Sequence, residues 1–198
     1  MKPLNLSQPH LIILVGMPGS GKTFFAQHFA DTFKAPLISL DTLRAALIKK
    51  SATSTTTPAS IRLVVDYMLD EMLKTHQTLI LDAYSDTHAD RLDLARRARA
   101  NGYVPLSIWV QIDVATARAR TTKSVKNNVG LSADQFAKII ARFYPPTIGE
   151  NSVVISGKHP YASQLKIVLK RLVVPRVKST TIKIPPARPI NSRPIAIR

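Results

Sequence analysis

The sequence predicts an α/β fold: a three-layer α/β/α sandwich on a mostly parallel, five-stranded sheet, with a small helical lid. Three observations carry this expectation. Short apolar runs alternate with segments whose apolar residues recur at helical spacing, the pattern of parallel strands joined by crossover helices. The first run, Leu11-Ile12-Ile13-Leu14-Val15, leads straight into Gly16-Met17-Pro18-Gly19-Ser20-Gly21-Lys22-Thr23 and then into a helical stretch. Aspartates stand at the ends of the second and third runs, Asp41 and Asp82, where an open parallel sheet forms its crevice.

The elements follow in order. Leu11–Val15 is the first strand, and Phe24–Phe33 the first helix, stopped by Lys34-Ala35-Pro36 because proline cannot continue it. Leu37–Leu40 is the second strand, after which Asp41 caps a short helix through Lys49. Residues 51–57 form a Ser/Thr-rich loop on the substrate side. Pro58 suits the first turn of a long helix, whose Ile61, Val64, Val65, Met68, Leu69 and Met72 make a core stripe.

Thr78–Leu81 is the third strand, ending at Asp82. A helix starts at Asp86 or Thr87 and reaches about Ala100, closed by Asn101-Gly102. Val104–Ile112 is the fourth strand, with Trp109 as buried packing, and Asp113 caps a helix to about Arg120. Thr121–Gly130 is polar and basic, and Ser132 to Gln135 has the form of a capping box for a helix through Phe143. Residues 118–146 together make the lid. Val153–Ile155 is the fifth strand, and Tyr161–Val173 the last helix, with Leu165, Val168, Leu169 and Leu172 on one face.

At 198 residues and 45% hydrophobic content the chain suits one domain with a sizeable core, spanning residues 1–174. From Pro175 onward five prolines interrupt six basic residues and no acid, the composition of an extended or disordered arm. The net charge of +16 favours polyanionic partners, nucleic acid first among them; a compositional bias or a solubility device reads equally well. Cysteine is absent, which excludes a disulfide framework and a thiolate metal site. No apolar run approaches the roughly 18 residues of a membrane span. The start of the chain is short and polar, so the expected setting is cytoplasmic.

The segment Gly16–Thr23, GMPGSGKT, is a complete Walker A phosphate-binding loop in its proper strand–loop–helix setting. Its glycines let backbone amides wrap an anion, and the following helix presents its positive end to the same phosphates. Residues 16–23, with Phe24, form the expected nucleotide site. Lys22 reaches the β- and γ-oxygens, and the Thr23 hydroxyl ligates Mg²⁺. Asp82 holds the Walker B place and engages the same metal. The next residue is Ala83 rather than Glu, which argues against a hydrolysis-driven motor. No [NT]KxD guanine-reading string is present.

Asp41 can accept a proton from a hydroxyl poised to attack the γ-phosphate. Arg44, one turn along the same helix, can hold an anionic group on that substrate. Arg118 and Arg120 flank a basic stretch with Lys123 and Lys126, where cationic groups neutralise charge in phosphoryl transfer. Residues two apart on a helix do not share a face, so the pair does not serve one phosphate. Arg142 is a further lid candidate.

With these motifs in this order, the chain resembles the polynucleotide kinase-like branch of the P-loop kinases. These are the AAA-domain kinases, which are also similar to zeta toxins. The phage polynucleotide 5′-kinase pattern is GxPGSGKS followed by Asp-x-x-Arg; here they read GMPGSGKT and DTLR. The resemblance covers Leu11 to Val173. It implies that Asp41 is the general base, that Arg44 contacts a substrate phosphate, and that Arg118 or Arg120 supplies the lid arginine. The lid departs from the family in carrying Arg-Ala-Arg-Thr-Thr-Lys instead of a longer-spaced arginine pair. The implied activity is transfer of the ATP γ-phosphoryl to a hydroxyl, with ATP and Mg²⁺ as cofactors and a polynucleotide 5′-hydroxyl among the acceptors. The alternatives are a zeta toxin-like kinase of a sugar or nucleotide sugar, and a nucleotide-gated nucleic-acid-binding protein with little catalysis.

Overall fold

Strand β1 (His10–Val15) is apolar on both faces, and that places it inside the sheet. Leu11, Ile13 and Val15 point to one side and Ile12 and Leu14 to the other, none more than 1% exposed. The computed structural model describes residues 6–49, 57–125 and 131–173. The Ser/Thr-rich residues 51–56, Lys126 and the basic segment from Pro175 lie outside these. Around β1 stand β2 (Leu37–Ser39), β3 (Leu79–Asp82), β4 (Val104–Gln111) and β5 (Ser152–Ser156), in the order β2-β3-β1-β4-β5. All four pairings are parallel, so the sheet expected to be mostly parallel is wholly so among the described residues.

Seven helices connect or flank the described strands: α1 (Lys22–Phe33), α2 (Leu40–Lys49), α3 (Pro58–Leu73), α4 (His88–Ala100), α5 (Val114–Val125), α6 (Ala133–Arg142) and α7 (Tyr161–Val173). One face of the sheet packs Val65, Leu69 and Leu73 of α3 and Leu94 and Ala98 of α4 against Leu11, Ile13 and Leu81. The opposite face packs Phe25 and Phe29 of α1 and Val168 and Leu172 of α7 against Ile12, Leu14 and Ile108. A small third cluster joins Ile112, Ala117 of α5 and Phe136 and Ile140 of α6 to Met17. Among the described residues no helix is long and apolar enough to cross a membrane.

Several boundaries differ from expectation for physical reasons. Helix α1 begins at Lys22, two residues early, so Lys22 and Thr23 hang on its first turn. Leu40 belongs to α2, and Asp41 sits inside the first turn rather than capping it. An acidic residue there still complements the helix dipole. Helix α5 runs past Arg120 to Val125, and within it Thr121 is buried and donates its hydroxyl to the Ala117 carbonyl at 2.8 Å. Trp109 is half-buried rather than buried: its neighbour on edge strand β5, Val154, is itself 45% exposed. Val64, 39% exposed, lies at the margin of the α3 stripe.

Candidate active site

The turn from β1 into α1 is wound tightly enough to require glycine. Gly16 has φ 150°, and a Cβ there would stand 2.6 Å from the Val110 carbonyl. Gly19 has φ 78°, and its Cβ would collide with the Ala117 carbonyl and come within 2.7 Å of the Thr121 hydroxyl. Within the turn the Ser20 amide donates to Met17 O at 3.1 Å. The Ser20 hydroxyl is buried with no hydrogen-bond partner among the described residues. A buried hydroxyl with unused capacity inside a glycine-rich turn fits a phosphate oxygen. Gly21 ends the turn in the left-handed region and gives α1 no side-chain cap, so the helix entrance keeps its amides for an anion.

Lys22 Nζ donates to Gly16 O at 2.6 Å and to Met17 O at 3.2 Å, holding its charge across the turn. Thr23 Oγ1 donates to Asp82 Oδ2 at 2.6 Å. Asp82, the last residue of β3, is 7% exposed. Burial lifts its carboxyl above the ordinary carboxylate range; Lys22 and the Thr23 hydroxyl oppose that shift, and Asp41 and Asp86 add to it. Of the remaining loop residues, Met17 turns its side chain into the third core cluster, and Pro18 is half-buried. Phe24 is 49% exposed, its ring 4.1 Å from that of His28.

The rim beyond β2 and β3 forms the other side of the crevice. Ser39 and Asp82 are in register, so the two strands end level with each other. Asp41 and Arg44 stand 3.9 Å apart on α2, their side chains 78% and 42% exposed. Facing them is Tyr84, a non-glycine residue at φ 44° with its hydroxyl buried and without a partner among the described residues. The Arg62 guanidinium lies 4.6 Å above its ring. Burial raises the phenol's pKa, against the charges of Arg44 and Arg62. A strained backbone persists where surrounding structure over-determines it, and such positions gather at functional sites.

The structure separates the two α5 arginines. Arg120 Nη1 donates to Gly157 O at 3.0 Å and Gly19 O at 3.4 Å, tying the glycine turn to the loop after β5. Arg118 is exposed on the α5 face that carries Val114, Ala115 and Ala119. Arg142 is exposed in the last turn of α6.

The sequence offers Asp86 only as a possible helix start, yet its carboxyl interacts with the Lys22 charge that also reaches Asp82. Burial raises its pKa, Lys22 opposes that shift, Asp90 adds to it and Arg91 opposes it. The signal available in the sequence was the second aspartate of LILDAYSD, four residues after the first.

A family model described as an AAA domain matches residues 11–146. The chain belongs to that family. Three solved structures share its fold. A presumptive kinase from Chloroflexus aurantiacus J-10-fl is 17% identical, with a TM-score of 0.68 over 84% of this chain and 100% of that one. A gluconokinase from Sinorhizobium meliloti 1021 is 17% identical, with a TM-score of 0.59 over 83% and 91%. The Mycobacterium tuberculosis APS kinase CysC, in complex with AMPPNP and APS, is 15% identical, with a TM-score of 0.60 over 83% and 98%. No curated protein matches the sequence significantly. The architecture is thus the kinase-like P-loop α/β fold.

Proposed function

We propose that this chain is an ATP-dependent kinase that moves the γ-phosphoryl group to a hydroxyl acceptor. The observation that carries the reading is the 2.6 Å bond between Thr23 and the buried Asp82, set directly beside the glycine turn that holds Lys22. A hydroxyl and a carboxylate are hard oxygen donors, the set that Mg²⁺ combines with phosphate oxygens and water. Bound by these two residues, the ion would supply positive charge to the β- and γ-phosphates. Lys22 leaves the Gly16 and Met17 carbonyls for the same phosphates, and the turn amides and Ser20 hydroxyl hold the remaining oxygens.

Asp41 is the base of the reaction. A bond forms between the acceptor oxygen and the γ-phosphorus as the bridging oxygen–phosphorus bond breaks; ADP leaves and the acceptor proton passes to Asp41. The open position of Asp41 suits an acceptor that arrives from solvent, and Arg44 holds an anionic group on it. Arg120 is the arginine best placed to reach the phosphates, because it already bonds the turn at Gly19. Arg118 and Arg142 contribute only if α5 and α6 move as a lid. A polynucleotide 5′-hydroxyl is the first acceptor to test, given the +16 charge. The names gluconokinase and APS kinase keep small anionic acceptors and sugars as the alternative.

Incubation of the full chain with γ-labelled ATP, Mg²⁺ and 5′-hydroxyl oligonucleotides is expected to label the oligonucleotide, and Asp41→Asn to abolish it. Label found only on sugars or nucleotide sugars moves the acceptor to the small-molecule class. A second reading, nucleotide-gated nucleic-acid binding, is favoured by the six basic residues beyond Pro175. It predicts that deletion after Val174 removes nucleic-acid affinity while nucleotide binding persists, and that affinity falls steeply with salt.

A further inference from the structure

Helix α6 and the link that follows it reach both the glycine turn and the rim after β3. At one end Phe136 joins Ile112 and Ala117 of α5 in the cluster against which Ile140 and Met17, the second residue of the glycine turn, both pack. At the other, the chain leaving α6 is fastened by Arg91 of α4, which is 2% exposed. Its Nε donates to Glu150 Oε2 at 2.6 Å and its Nη2 to Oε1 at 3.0 Å. Nη1 donates to Ser85 O at 3.0 Å, Asp86 O at 3.4 Å and Tyr144 O at 2.9 Å, and Nη2 to Pro145 O at 3.3 Å. The Tyr144 amide adds a bond of 2.9 Å to Asp86 O. Glu150 also accepts from His88 Nδ1 at 2.9 Å and from the Thr147 amide at 3.1 Å. Ser85 in turn donates its hydroxyl to Leu14 O of β1 at 2.5 Å.

A buried ion pair is a weak source of stability, since desolvation offsets its attraction and an apolar pair would serve as well. What one planar guanidinium does that an apolar group cannot is hold carbonyls from two distant segments in a fixed mutual geometry. Here those segments are the rim after β3 and the link from α6 to β5. We propose that Arg91 is a positioning residue that couples the nucleotide turn to the acceptor rim. Through Met17 and α6, the Arg91–Glu150 pair transmits occupancy of the turn to residues 83–87, and so to the placing of Asp86. The inference rests on the turn binding nucleotide, as proposed above.

Hydrogen exchange on the full chain, with and without Mg-AMPPNP, tests it in the wild type, Arg91→Lys and Glu150→Gln. Lysine keeps the charge without the fork, and glutamine keeps the shape without the charge. Thermal melting and Trp109 fluorescence establish which variants are folded. In the wild type the nucleotide slows exchange at residues 16–23, 83–87 and 143–150 together. In a folded variant the protection at 16–23 persists, while the response at 83–87 falls to less than half. An undiminished response at 83–87 in either folded variant overturns the coupling and leaves the pair a structural tie. If the wild type shows no protection at 16–23, nucleotide binding itself is contradicted and the coupling with it.

Discussion

On the nucleotide side of the crevice Lys22, Thr23 and Asp82 are each held by partners at 2.6 Å, and Asp82 is nearly buried. On the β2 side Asp41 and Arg44 stand 3.9 Å apart and open to solvent, in the first turns of α2. The first side is organised before any ligand arrives, which is how fixed charges act most strongly on a phosphoryl group. In the proposed reaction the second takes its final geometry from the acceptor. A donor site that is the same for every substrate can be built into the fold, whereas the proposed acceptor contacts are left to a few exposed side chains.

The largest expected effect separates the two sides by kinetics. Asp41→Asn should lower kcat for phosphoryl transfer by about 10²–10⁴-fold, the usual worth of a positioned base. Mg-nucleotide affinity should stay near wild type, as single-turnover transfer and equilibrium binding would reveal. A parallel loss of nucleotide affinity would show that the sides are not separable.

Asp82→Asn should act on the opposite side, weakening Mg-nucleotide binding by roughly 10-fold or more, since losing even an outer-shell partner of a metal costs about 10–100-fold. The same substitution should stabilise the fold. Burial raises the folded pKa of Asp82 above its unfolded value, so the ionised carboxylate destabilises the native state at neutral pH, and this penalty fades as pH falls through the folded pKa. The melting temperature of Asp82→Asn should therefore exceed that of the wild type at neutral pH, with the gap closing in acid. A gap that widens in acid would reverse the assignment.

Glu150 provides the contrasting carboxylate. Burial opposes its charge, but Arg91, His88 and the Thr147 amide together bring its pKa down to about 2. Its contribution to stability is present above its ordinary value of 4.5 and is lost as pH falls toward about 2. Acid titrations of wild type and Glu150→Gln should converge over that window. The smallest effect belongs to Arg44→Ala, which should change stability by less than about 1 kcal/mol because its pair is exposed. Any large change should appear in the KM for the acceptor.

Much of this was readable because the deciding interactions are local in sequence. The five apolar runs became the five strands, and the capping box at Ser132 and Gln135 formed with both of its bonds. The glycine turn announced itself because an anion cradle needs glycine at fixed offsets. Leu40 reads as strand in the sequence yet opens α2, because an apolar residue suits either a strand end or a helix start. The contacts that remained hidden join residues far apart: Arg91 to Glu150 across 59 positions, and Arg120 to Gly19 across 101. An arginine on a polar helix looks solvated until the tertiary fold closes over it. The helical pattern of α4 gave no sign that Arg91 would be among the most buried side chains.

Calorimetric titration of the full chain with MgATP tests the central claim most directly, with Lys22→Ala as its partner. The account predicts binding at one site in the wild type and a loss of roughly 10–100-fold in affinity on removing the lysine, the worth of a hydrogen bond to a charged group. A folded wild-type chain that takes up no MgATP, or a Lys22→Ala variant that binds it equally well, would contradict the assignment of the glycine turn as the phosphate-binding site.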